Sequence, residues 1–465
     1  MPNPIIQLKI DLPKIPKSKV RNIFKKELET LIENEEITLK SESGRLWSTL
    51  SFLTTIRDVN RYINNLIFYL PMMKNEVNPI DFILLTGLQL FENNIYHEIK
   101  NNKNFFTKDL MLKPDANILT RYQEYYERIL EKNEKINKKS LDEILNILFP
   151  QLRNLEVNWY FKNQVSEWNS QLRICSYDMF DKYFELTLSE TDLTYSFFEM
   201  IIESEDYDFI KQEVLKKDAE GKSEDFLKKL KDNVKKIKNE NIKLFFRLLY
   251  DIGDKLKIET GNFIFSKNTL LLQTIGALSK QLSNEELYDA MNYAIENSKD
   301  CLYLLVDDLA IHDQINHRYR FENQESHSKS RLTNEQLDEL EKEACIKIKK
   351  WADNGEIFEV YRSIEVIYEW YFWDRNEYNK FIDKTIQNDD NLIELISIFI
   401  NNVNKENDNI DLEFNFDIME EITPIEIIYN RIKQITPKLL NESDEKLVCE
   451  NFIEEYENTY KFNLK

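Results

Sequence analysis

Glycine and proline are scarce, at 7 and 10 in 465 residues. So few backbone breaks argue for long helices joined by a small number of tight turns, and against a large open sheet with glycine-rich active loops. Cysteine and histidine are scarcer, at 4 each. Cys175, Cys301, Cys345 and Cys449 have no paired metal spacing and read as reduced core residues of a cytosolic protein. His97, His312, His317 and His327 contain no pair at metalloprotease spacing, and their neighbours complete no ligand set, so no intrinsic zinc site is expected. No run approaches the roughly 18–20 uninterrupted apolar residues that cross a bilayer, and the N-terminus carries no signal-peptide hydrophobic region. Basic residues are outnumbered: 62 Lys and Arg stand against 83 Asp and Glu, for a net charge of -21. That balance favours solubility and opposes non-specific attraction to nucleic acid or anionic lipid, while leaving room for a local basic groove.

What the chain does have is apolar periodicity. A length of 465 residues allows two to four domains or one extended helical assembly. Ile5-Ile6-Gln7-Leu8-Lys9-Ile10 is β-compatible and is ended by Pro13 and Pro16, which leads into a helix over residues 19–34. The most informative stretch is Thr55-Ile56-Arg57-Asp58-Val59-Asn60-Arg61-Tyr62-Ile63-Asn64. Ile56, Val59, Tyr62, Ile63, Leu66, Ile67 and Leu70 recur at steps of three and four, as a core-facing helix requires. Arg57 and Arg61 lie one turn apart on another face, and Pro71 stops the helix. Asn78-Pro79-Ile80-Asp81 is a helix start, with a capping Asn, a first-turn Pro and an acid at the positive end. The apolar stretch 82–99 should pack against the arginine helix. Helices are expected at 119–130 and 140–149, with a charged, mobile-looking connector between them.

Ser283-Asn284-Glu285-Glu286 and Thr333-Asn334-Glu335-Gln336 have capping-box spacing, and the polar stretch 322–330 is the best internal linker. Beyond it, helices are expected at 334–353, 357–373, 375–400 and 422–435. The expected fold is mainly α: a multi-helical lid and an irregular helical stack, with one short N-terminal β segment.

Several motifs dissolve on inspection. Gly221-Lys222-Ser223 invites a phosphate loop, but the first glycine of such a loop would fall where Lys216 stands, and no apolar strand precedes it. A polar loop with Ser223 capping the next helix is expected. Leu302-Tyr303-Leu304-Leu305-Val306-Asp307-Asp308 mimics the magnesium end of a strand, but its neighbours extend a helical pattern, so a core helix with exposed acids is expected. Trp370-Tyr371-Phe372-Trp373 lacks interleaved basic clusters and suits core or interface packing more than base stacking. No Ser, Cys or His forms a defensible nucleophile and base pair. For Arg57 and Arg61 two readings stand side by side. One is a surface ion-pair network. The other is an arginine presented across a nucleotide cleft, where a rigid fork of donors meets phosphate.

At these residues the chain resembles the C-terminal portion of the KAP-type P-loop NTPases, in the STAND branch of regulatory ATPases. The likeness is carried by Ile5-Ile6-Gln7-Leu8 with Leu12-Pro13, by Leu53 to Asn64, by Glu76-Val77-Asn78-Pro79-Ile80-Asp81, by Leu90-Phe91-Glu92-Asn93-Asn94-Ile95-Tyr96, and by Arg173 to Phe184. The resemblance implies a remnant of the NTPase core, its last strand and exit, at 1–18, a helical lid-like domain at 19–135, a helical domain at 140–325 and a C-terminal helical domain at 331–465. It makes Arg57 the candidate nucleotide sensor of the lid, within a Thr-x-Arg-Asp pattern whose usual proline is Ile56 here, and Arg61 a second candidate. Phosphate loop and magnesium acid would precede the first strand. ATP and magnesium are therefore expected only with that core, and no cofactor or catalysis in this chain alone. The implied partner is protein, either that NTPase core or a companion subunit, rather than nucleic acid. The implied setting is cytoplasmic, and the process is bacterial phage defence, as in some relatives. The competing expectation is an independent helical scaffold without nucleotide coupling, and a third is a hydrolase.

Overall fold

In this computed structural model the structure describes residues 15–37, 53–107, 116–155, 164–185, 193–256, 267–321, 330–406, 409–440 and 443–460. The chain divides into two compact units, Met1–Ile202 with Lys228–Asn233, and Glu203–Leu227 with Val234–Lys465.

The first unit is built from helices alone among its described residues. Lys17–Asn34 packs on the arginine helix, Ile56–Met72, which packs in turn on Pro79–Phe91. Val20, Phe24 and Leu28 are buried on one side and Val59, Tyr62, Ile63, Leu66 and Leu70 on the next. The Phe24 and Tyr62 rings stack with centroids 4.8 Å apart, and the Tyr62 hydroxyl donates to the Ile83 carbonyl oxygen. Asn78 caps Pro79–Phe91 through its side chain, with Pro79 in the first turn. That helix is buried on nearly every side, Ile80 through Leu88 without a gap, because Lys138–Leu148 covers the flank that the arginine helix leaves.

Asp81 does more than favour a helix end. Its Oδ2 lies 2.7 Å from Arg173 Nε and accepts the Ile174 N–H at 2.9 Å, all in the interior. The 132–137 connector is likewise pinned. Buried Glu92 accepts the backbone N–H groups of Glu134 at 2.7 Å, Lys135 at 2.5 Å and Ile136 at 2.7 Å.

The second unit runs as a succession of packed helices. Asn239–Ile252 lies on Asn284–Asn297, which lies on Asn334–Asn354. Tyr303–Ile315 and Ser363–Trp373 pack on that last helix and on each other, and Arg375–Gln387 and Asp389–Ser397 continue the series. Both expected capping boxes are closed: Ser283 with Glu286 and Thr333 with Gln336. All four cysteines are buried and none is in a disulfide.

The expected fold class needs correcting in its β element. The short β structure lies near the C-terminus rather than at the N-terminus, as an antiparallel hairpin of β1, Ile400–Glu406, and β2, Asn409–Phe414. The N-terminal residues 4–12 lie outside the described residues. The hairpin is anchored by Leu412 and Phe414, alternate residues that are both buried. Its outer edge is met by the helix Asp444–Glu455, where Asn451 accepts the Leu412 N–H at 3.1 Å and Glu455 the Phe414 N–H at 2.9 Å. Two inward residues in an Asn-rich stretch are too weak a period-2 signal to outweigh the helical surroundings.

Three local expectations also shift. The helix expected at 375–400 is broken at Asn388, whose side chain accepts the Asn391 N–H at 3.0 Å and starts a new helix. Ser223 caps nothing and instead donates its hydroxyl to Asp218. Asp308 is buried, taking a hydrogen bond from Tyr250 at 2.5 Å, so the acids of that helix are not both exposed.

Candidate functional site

The arginine helix begins in a closed capping box. Thr55 Oγ1 accepts the Asp58 N–H at 3.1 Å, and Asp58 Oδ2 accepts the Thr55 N–H at 2.9 Å. The same carboxylate oxygen takes the Thr54 N–H at 3.2 Å and the Thr54 hydroxyl at 2.9 Å. Burial alone pushes the Asp58 carboxyl up, but these bonds outweigh it and hold the group below its ordinary range. Thr55 and Asp58 thus answer the orphan N–H groups of the helix start. The residue between them with no such local duty is Arg57.

Opposite the buried face, steps of four, three, four and four carry Arg57, Arg61, Asn64, Phe68 and Met72 along one stripe. Arg57, Arg61 and Asn64 are exposed, and neither arginine forms an ion pair with a described residue. Phe68 is 62% and Met72 60% exposed, and Ile67 at the margin is 52% exposed. Ile67 was expected on the core face; it sits at the edge of that arc, beyond Ile63, where no neighbour covers it. A single exposed apolar side chain needs no explanation, but three within two turns beside two guanidiniums form a patch. Phe68 and Met72 are the residues the sequence reasoning passed over. Their signal was present: Phe68 follows Arg61 by seven residues and Met72 follows Phe68 by four, a continuation of the arginine face.

Two of the stretches that carry the resemblance, residues 76–81 and 173–184, meet inside the first unit. Asn78 donates its N–H to the Tyr183 hydroxyl at 2.9 Å and to the Leu172 carbonyl at 3.0 Å, and that hydroxyl donates to Leu172 at 2.6 Å. Together with Asp81 and Arg173, this is a buried polar tie behind the helices. It holds the start of Pro79–Phe91 against the segment that runs from Leu172 to Tyr183.

The second unit concentrates its perturbed titratable groups between Tyr303–Ile315, Asn334–Asn354 and Ser363–Trp373. Asp313 and Glu341 face one another, and burial raises both carboxyls above their ordinary range. Arg318 lies 3.2 Å from Asp313 and 3.0 Å from Glu341, the Trp373 indole donates to Asp313 at 2.8 Å, and the Tyr319 hydroxyl donates to Glu341 at 2.7 Å. Burial also pushes Glu369 up to about 7, against the pull of its partner Arg320. Shifted groups of this kind mark either catalytic sites or buried structural networks. Neither of the two cavities described in the molecule is lined by Asp313, Glu341 or Glu369.

Among the described residues no group of three or more His, Cys, Asp or Glu is arranged to hold a metal ion, and no helix is long and apolar enough to cross a membrane. In comparisons with protein-family models, with curated proteins and with solved structures, nothing matches this chain.

Proposed function

We propose that this chain is a helical protein-interaction module whose contact surface is the outer face of the arginine helix. One observation carries the reading. Two exposed guanidiniums stand in line with Phe68 and Met72, on a helix whose own cap already occupies the nearby carboxylate of Asp58. Charge complementarity selects the occupant: a protein surface that presents carboxylates to Arg57 and Arg61 and an apolar recess to Phe68 and Met72. Arginine and large apolar side chains on one stripe supply both the anchors and the orientation of such a contact.

The resemblance to KAP-type ATPases supports a finer version, in which the partner is a nucleotide-binding core and Arg57 faces its phosphates. Bacterial phage defence is the process that resemblance favours. A photo-crosslinker at Asn64, read in the native host, tests the docking surface. The expected result is one protein partner, lost in both Arg57→Glu with Arg61→Glu and Phe68→Asp. A crosslinked partner indifferent to all of these changes, or adducts to lipid alone, overturns the reading. For the finer version, ATP hydrolysis by the partner is measured with the wild-type chain and with Arg57→Ala. Equal rates reject a nucleotide-facing Arg57 and leave the docking surface standing.

A further inference from the structure

The second unit contains a cleft of about 350 Å³ between the C-terminal end of Asn334–Asn354, the helix Arg375–Gln387 and the start of Asp389–Ser397. Three ammonium groups, Lys349, Lys380 and Lys384, stand on its walls with two carboxylates, Asp353 and Glu377. Lys349 is held at 3.2 Å from Asp353 and 3.0 Å from Glu377, and Lys380 lies 2.5 Å from Glu377. Lys384 is the loose one: its Nζ is 3.9 Å from Asp353, beyond hydrogen-bond distance, and its side chain is 70% exposed. In a chain with a net charge of -21, this recess holds one cation more than it holds anions.

The floor is apolar and aromatic. Phe358 and Phe381, both half-buried, lie with ring centroids 6.0 Å apart, and Trp370 lies behind Phe381 at 5.3 Å. Trp370 is 1% exposed, yet its indole N–H has no hydrogen-bond partner. Buried donors without an acceptor are uncommon in folded proteins, because the lost hydration is not replaced. At the rim, Gly355 takes a left-handed conformation and nothing lies within 4 Å of where its Cβ would be, so the entrance is unobstructed there.

We propose that this cleft binds a small organic anion that carries a ring, with the ring against Phe358 and Phe381 and the phosphate or carboxylate on Lys384 and Lys380. The volume suits one ring and one anionic group, since ligand pockets begin at about 300 Å³. The ammonium of Lys384 is available without breaking a short ion pair. The aromatic floor separates this ligand class from bare inorganic anions, which would gain only the charge.

Calorimetric titration of the full chain with phenyl phosphate, benzoate and inorganic phosphate tests the proposal, with Lys384→Ala and Phe381→Ala as variants. Phenyl phosphate or benzoate should bind, with inorganic phosphate about tenfold weaker or more. Lys384→Ala should cost about tenfold, the loss of one charge-assisted contact. It removes an exposed side chain, so failure to fold does not confound it. Preferential binding of phenyl phosphate over benzoate would identify a phosphate ligand, and the reverse a carboxylate. No binding of either ring-bearing probe at about 10 mM, or binding that Lys384→Ala leaves unchanged, overturns the proposal.

Discussion

Asp81 and Arg173 are 92 positions apart in the chain and form a buried ion pair, with Nε 2.7 Å from Oδ2. Arg173 also donates to the Ile147 carbonyl, so one guanidinium joins the start of Pro79–Phe91 to the end of Lys138–Leu148. Attraction in the interior and the desolvation of both groups nearly cancel, so the pair specifies an arrangement more than it adds net stability. Removing one member is another matter, because it strands the other charge.

Asp81→Ala should therefore destabilise the first unit by about 3–5 kcal/mol, while Asp81→Leu combined with Arg173→Met should recover most of that loss. Urea unfolding of the single and double variants checks this through their midpoints. Equal losses in all of them would mean that packing volume, rather than stranded charge, sets the cost.

The capping box separates structure from recognition on a single helix. Thr55→Ala should cost about 1 kcal/mol of stability, the usual effect of losing an N-cap side chain. Arg57→Ala should leave stability within about 0.5 kcal/mol, as expected of an exposed side chain with no ion-pair partner among the described residues, yet weaken partner capture. Thermal unfolding and partner binding, measured on both variants, should show these opposite patterns.

Glu92 holds the 132–137 connector through three backbone N–H groups. Glu92→Ala should expose the amides of Glu134, Lys135 and Ile136 to exchange and cost about 1.5–3 kcal/mol. Hydrogen exchange resolved to those residues reads the effect directly. Unchanged protection there would show that the connector holds its shape without the carboxylate.

Glu369 gives a pH dependence of definite sign. Its carboxyl is raised by burial from 4.5 to about 7, so the native state keeps a proton that the unfolded chain has lost. The resulting contribution to stability is fully present below pH 4.5 and is lost as pH rises to about 7. Glu369→Gln cannot titrate, so its stability relative to wild type should climb across that window and level off above it. Chemical denaturation at several pH values, comparing the two proteins, checks the slope. A constant difference at every pH would show that Glu369 titrates alike in the folded and the unfolded chain.

Much of the fold was legible because helix signals are local. The capping boxes at Ser283 and Thr333 lie where their spacing predicts, and so does the Asn78-Pro79 start. The arginine helix runs only one residue past its expected stop, since Pro71 fits the last turn. Asn388 was missed because an asparagine between two helical patterns reads equally as an interior position and as a cap. The core periodicity of the arginine helix was read correctly except for Ile67, but its opposite face was noted for charge alone, and Phe68 and Met72 went unread.

The sequence by itself determined that the described protein is dominated by helices, where many of them start, and that Arg57 and Arg61 share a face. These follow from the 3.6-residue repeat and from contacts made within a few positions. Only the tertiary structure decided that Asp81 reaches Arg173, that Glu92 staples a connector more than forty residues away, that Asp308 is buried, and that β structure falls at residues 400–414. Each depends on groups far apart in the chain meeting where water is excluded, and no local pattern records which distant partner will arrive.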